Sequence, residues 1–180
     1  RSRSRVLARR RGVTRADLES SIKRVRARIP DIAIRTSVMV GFPGETDQDF
    51  EILLDFVKTQ RFRHLGCFTY SQEEGTVAGR MPDQIDEETK AARLAEIMTL
   101  QNGVSRALMQ QYVGQVLPVL VEGVSPESEF LWQGRLSVQA PEVDGVVYLN
   151  DGPAVAGEIQ MVEITEAHDY DLVGRVVLLS

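Results

Sequence analysis

The sequence predicts an α/β segment followed by a small all-β barrel, on three observations. Ile32 to Val40 is nearly continuous β-branched or apolar sequence, as in a strand covered on both faces, and it stops at Gly41-Phe42-Pro43-Gly44. Thr46 with Asp49 then opens a helix in which Phe50, Leu53, Leu54 and Val57 recur at helical spacing. After Gly114 the chain changes to short β-rich runs separated by Gly, Pro, Asn and Asp.

In chain order, Arg1 to Arg11 is Arg-rich and lacks an apolar core. Thr14 with Asp17 forms a capping-box pattern, and Leu18, Ile22 and Val25 mark the buried stripe of a helix that should stop before Pro30. The strand, glycine turn and helix follow. Leu65 to Tyr70 reads as a second short strand, and Ser71 to Ile85, with Gly75, Gly79 and Pro82, as a loop. Asp86 to about Tyr112 reads as one long helix with Ala91, Leu94, Ile97, Met98, Val104 and Leu108 as apolar positions, weakened at Gly103. The later runs, Val116–Val121, Gly134–Val138, Gly145–Leu149, Glu158–Ile164 and Leu172–Leu178, suggest a five-stranded barrel of OB-like size. The spacing places a domain boundary near residue 113, giving segments 1–113 and 114–180. Two buried parallel strands need further parallel neighbours, so the first segment is expected to be the C-terminal part of a longer α/β protein.

At 180 residues with 43% hydrophobic content, the chain can bury a core. No run approaches a membrane span and the first residues carry no apolar signal core, so a cytoplasmic location is the default. One cysteine, Cys67, excludes a disulfide framework or a cysteine-ligated cluster held by these residues alone. The net charge of −5 conceals an asymmetry. Residues 1–35 hold 12 Lys or Arg against 3 Asp or Glu, whereas residues 111–180 hold Arg135 and Arg175 against 11 acidic residues, a balance of −9. So acidic a tail argues against binding a phosphate backbone and suits a basic protein partner, although acidity also serves solubility.

The run from Arg35 to Thr46, followed by Phe68-Thr69-Tyr70-Ser71, Met81-Pro82-Asp83-Gln84 and a long helix reaching Leu100-Gln101, resembles the end of the radical S-adenosylmethionine (β/α) barrel of the methylthiotransferases. The β-rich tail resembles their TRAM domain. Ala140 to Tyr148 and Tyr170 to Gly174 are similar to the branch that modifies an aspartate of a small-subunit ribosomal protein. The resemblance implies an open radical S-adenosylmethionine barrel joined to a five-stranded TRAM barrel. It also implies S-adenosylmethionine and two [4Fe-4S] clusters in the whole enzyme, whose cysteine ligands this chain lacks, so the chain alone is expected to be inactive. The implied partner is the ribosomal protein, docked on the acidic TRAM domain. A tail that grips transfer RNA, as in the sister branch of the family, should carry Lys and Arg, and this one does not. A non-catalytic RNA- or protein-binding TRAM module is the other reading.

Ligands of α/β proteins bind outside the carboxyl ends of parallel strands, which makes Gly41 to Glu45 the functional end, although Gly-Pro turns also serve geometry alone. Alternation places Arg35, Ser37, Met39 and Gly41 on one face and Thr36, Val38 and Val40 on the other. In the wider radical S-adenosylmethionine class a Gly-x-Ile-x-Gly-x-x-Glu pattern on this strand packs on the adenine. The resemblance maps Met39 and Gly41 onto its apolar and second glycine positions, with Ser37 in place of the first glycine and Glu45 one residue late. The expected cofactor-binding set is Arg35, Ser37, Met39, Gly41, Gly44 and Glu45, and Arg35 could pair with a carboxylate of the cofactor or of a neighbour. Cys67, His64, His168 and Trp132 read as structural, and Glu73-Glu74 and Glu87-Glu88 as solvated faces. Unpaired strand edges should also promote self-association of the chain.

Overall fold

A computed structural model describes residues 13–178, in two units that divide between Val104 and Ser105. The Arg-rich run Arg1 to Arg11 lies outside the described residues. The first unit runs α1 (Arg15–Arg28), β1 (Arg35–Val40), α2 (Asp47–Gln60), β2 (His64–Thr69) and most of α3 (Glu87–Met109). Both expected capping boxes form: Thr14 N–H donates to Asp17 Oδ2 at 2.8 Å and Asp17 N–H to Thr14 Oγ1 at 3.2 Å, and Thr46 and Asp49 repeat the exchange at 3.1 Å each. Such caps contribute about 1 kcal/mol apiece and fix where each helix starts.

β1 and β2 pair in parallel from Arg35↔His64 to Val40↔Thr69, with α2 as the crossover between them. One face of this sheet is covered, by a core of Val40, Phe50, Leu53, Phe56, Val57, Phe62, Leu65 and Ile97. Arg15 clasps α1 to α2, its Nη2 2.7 Å from Asp55 and its guanidinium 5.8 Å from the Phe56 ring centroid. The buried Gln101 of α3 donates to the Phe62 carbonyl at 3.1 Å. The other sheet face carries the exposed residues of β1, Arg35, Ser37 and Met39. The strand thus departs from the expectation of cover on both faces.

In the second unit β3 (Val116–Val124), β4 (Trp132–Arg135), β5 (Val147–Asp151), β6 (Ile159–Ala167) and β7 (Leu172–Val176) close into a barrel in the order β3-β4-β5-β7-β6. The last turn of α3 goes with it: Met109 is 2% exposed in a core with Val119, Val121, Leu136, Val147, Leu149, Val162, Ile164, Leu172 and Val176. β4 stops at Arg135 instead of reaching Val138. Gln139 folds over the strand end, where its Oε1 accepts from Leu136 N–H at 2.8 Å and its own N–H donates back to the Leu136 carbonyl at 3.0 Å. Two glycines let neighbouring strands close up. A Cβ on Gly134 would lie 2.5 Å from the Leu120 carbonyl oxygen, and one on Gly174 2.5 Å from Val162 Cγ1. Trp132 packs against the barrel core, whereas Phe130 is exposed. No helix among the described residues is long and apolar enough to cross a membrane.

Candidate functional site

Alternation along the two paired strands sets Arg35, Ser37 and Met39 on one face, with His64, Gly66 and Phe68 beside them in register. A Cβ built on Gly66 would lie 3.6 Å from the Phe68 ring and 3.8 Å from Ser37 Oγ, which puts these groups on the same side. Met39 is 48% and Phe68 60% exposed, whereas Val40 and Leu65, pointing the other way, are buried. The face is therefore apolar and exposed at its carboxyl end, with the Ser37 hydroxyl and then the Arg35 guanidinium along it toward the amino end.

At the carboxyl end of β1 the chain turns sharply. Gly41 and Gly44 have φ of +74° and +76°, angles that side chains resist. Glu45 N–H donates to the Phe42 carbonyl at 2.9 Å, and with Pro43 second and Gly44 third this is the pattern of a type II turn. Gly44 N–H is held by the Asp83 carbonyl at 2.9 Å.

Behind the turn lies a polar cluster. The Glu45 side chain is fully buried, and its Oε1 accepts from Gly41 N–H at 3.0 Å and from Arg93 Nη1 at 2.7 Å. Arg93 Nη2 reaches Asp47 Oδ1 at 2.6 Å, and its guanidinium sits 5.4 Å from the Phe50 ring centroid. Lys90 lies one helical turn earlier, its Nζ 2.7 Å from Glu87 and 5.5 Å from the centroid of Tyr70, which meets Phe42 edge-on at 5.3 Å. The Lys90 stem fills the space at Gly41, where an added Cβ would come within 2.3 Å of its Cγ. At Gly44 nothing lies within 4 Å of an added Cβ, so the open side of the turn is there.

Of the six residues expected to meet a cofactor, Arg35, Ser37 and Met39 thus share the accessible face, and Gly41, Gly44 and Glu45 build the turn at its end. The Glu45 carboxylate is directed inward, onto the Gly41 amide, and not onto the face. Gly66 and Phe68 escaped the sequence reading, although the alternation His64-Gly66-Phe68 carries the signal. Lys90 and Arg93 lie more than forty residues downstream of the turn, and no local pattern pairs them with it.

Cys67 points away from the accessible face, into the core side, and burial pushes its thiol up to about 11. The folded value lies above the ordinary value of 9.0, so the folding free energy linked to this thiol is complete below pH 9.0 and is lost as pH rises toward 11. Iodoacetamide is expected to label the folded chain slowly at neutral pH and rapidly after unfolding. Complete labelling of the folded protein at neutral pH would show that the thiol is not held in an apolar setting.

Residues 113–177 match the TRAM domain. The uS12 methylthiotransferase RimO of Myxococcus xanthus is 50% identical over 172 residues, 96% of this chain and 36% of that protein. The same enzyme of Anaeromyxobacter sp. (strain K) is 52% identical over 94% of this chain and 36% of its own length, and that of Bdellovibrio bacteriovorus 48% identical over 93% and 37%. Nearly the whole chain is thus similar to a part of the RimO methylthiotransferases. It spans little more than a third of the length of these curated relatives. The matched stretch covers nearly the whole chain, so it includes the β1–β2 face and the turn as well as the barrel. Among the described residues no group of three or more His, Cys, Asp or Glu could hold a metal ion, and a cubane cluster requires more thiolates than the single Cys67.

Proposed function

We propose that this chain is the C-terminal part of a RimO-type enzyme that methylthiolates an aspartate of ribosomal protein uS12. Its first unit would supply part of the S-adenosylmethionine wall, and its TRAM barrel would dock the ribosomal protein. The observation that carries the first assignment is the accessible Met39–Phe68 face, which ends in a glycine turn at the carboxyl end of a parallel strand. A purine ring finds there a polarizable thioether and an aromatic neighbour, Ser37 offers a hydroxyl for ribose, and Arg35 suits a carboxylate. The family's clusters would be ligated outside these residues, and the cofactor held on this wall would supply radical chemistry when bound.

Docking is supported by charge. Both arginines of the barrel strands are already engaged, Arg135 with Glu122 at 3.2 Å and Arg175 with Glu163 at 2.7 Å. The excess acid of the barrel is left to face a basic partner, and complementary potential raises encounter rate.

Two measurements on the whole enzyme test these assignments. Met39→Asp is expected to raise the Kd for S-adenosylhomocysteine about tenfold or more, since it sets an anion where an apolar contact is needed. An unchanged Kd would remove the face from the cofactor site. Binding of uS12 should be saturable and weaken with salt, with no comparable binding of transfer RNA. Saturable binding of transfer RNA alone would instead favour an RNA-binding tail.

A further inference from the structure

We propose that Arg93 is a positioning residue for the adenosyl site, acting through Glu45 to fix the turn Gly41–Glu45; this rests on the assignment of that turn to the cofactor wall. The geometry is specific. One carboxylate oxygen, Glu45 Oε1, takes both the backbone N–H that ends β1, at Gly41, and the Arg93 guanidinium. The second guanidinium nitrogen holds Asp47, the first residue of α2. Arg93 therefore spans the turn and the helix that follows it, two residues apart in sequence, with the fork of donors that only arginine offers.

The pair is enclosed, with Arg93 7% and Glu45 0% exposed, and Glu45 Oε2 has no hydrogen-bond partner among the described residues. Arg93 is thus the charge that compensates a buried carboxylate, and Glu45 in turn holds the amide. A buried ion pair is weak evidence for stability, because well-packed apolar side chains would serve as well or better. What apolar residues could not do is set the orientation of the Gly41 peptide and with it the path of the chain through Pro43 and Gly44. Three attachments hold the turn: Arg93 through Glu45, the Asp83 carbonyl on Gly44 N–H, and the Lys90 stem against Gly41. Its Gly44 side stays open to a ligand. Loosening the grip should therefore blur the shape presented to the adenosyl group without touching the protein-docking surface.

The test uses the whole enzyme, with S-adenosylhomocysteine affinity by calorimetry, amide exchange of the peptide covering residues 41–45, and melting temperature. Arg93→Gln is expected to raise Kd about tenfold and to speed exchange at the turn, leaving affinity for uS12 unchanged, and Arg93→Lys should fall between it and the parent. Because Arg93→Gln strands a buried carboxylate and could unfold the unit, Glu45→Gln/Arg93→Gln supplies the second arm. Removing both charges should recover melting temperature while Kd stays weakened. Recovery of Kd together with melting temperature would reduce Arg93 to charge balance and overturn the inference, as would an unchanged Kd in Arg93→Gln. If Met39→Asp weakens binding and Arg93→Gln does not, the positioning role alone fails. If neither does, the cofactor assignment beneath it fails.

Discussion

Gly41→Ala is expected to lower the unfolding free energy of the first unit by about 3 kcal/mol, against about 1 kcal/mol for Gly44→Ala. Both positions sit in the left-handed region, at +74° and +76°, so the conformational penalty is common to both, about 1–2 kcal/mol less what alanine gains by stiffening the unfolded chain. The surroundings separate them. A methyl on Gly44 meets nothing within 4 Å, whereas one on Gly41 meets Lys90 Cγ at 2.3 Å. That carbon is the middle of a stem that is 3% exposed and tethered at its end by Glu87 and the Tyr70 ring. It cannot swing aside as a free lysine would, so the clash must move α3, the turn, or both. Urea unfolding followed by far-ultraviolet circular dichroism, which reports the helices, should resolve the difference. Equal losses in the two variants would show that Lys90 yields easily and that the glycine at 41 serves backbone angle alone.

The contrast explains what local sequence could and could not disclose about this site. The caps at Thr14 and Thr46 were legible because each is a transaction between residues three apart, and the alternation of Arg35, Ser37 and Met39 because strand geometry has period two. The five barrel runs were legible by their punctuation, with ends off by a few residues where a side chain such as Gln139 takes over from the ladder. The role of Gly41 was legible only in part. A glycine after a strand announces freedom of φ, but whether its bare face meets a ligand or a lysine stem depends on α3, which folds back from beyond a loop. Arg93 and Glu45 are likewise one arginine and one glutamate among many until the fold brings them to 2.7 Å. The same holds for Met109, whose helical spacing reads like the rest of α3 while its side chain is buried with the barrel core.

The barrel offers the second large effect. Gly134→Ala and Gly174→Ala are each expected to cost the second unit about 2 kcal/mol, and the double variant to unfold it most of the way. Propensity points the other way, since alanine in an ordinary strand gains roughly 0.5–1 kcal/mol over glycine. Sterics should win. On Gly134 a Cβ would stand 2.5 Å from the Leu120 carbonyl oxygen and 2.6 Å from Val119 Cγ1, both on β3. On Gly174 it would stand 2.5 Å from Val162 Cγ1 and 2.7 Å from the Glu163 carbonyl oxygen, both on β6. β3 and β6 pair with each other from Val116↔Glu163 to Leu120↔Ile159, so the two insertions press on one seam from its two sides. In a closed barrel neither strand has a free edge toward which to retreat. The pair should therefore couple instead of adding independently. Trp132, the only tryptophan, lies on β4 against this core, so its fluorescence reports the barrel while circular dichroism follows the helices. The barrel transition should move to lower urea with the helical transition in place. A Gly134→Ala barrel as stable as the parent would mean that the seam can open by half an ångström without loss, and that glycine is there for reasons other than the approach of β3.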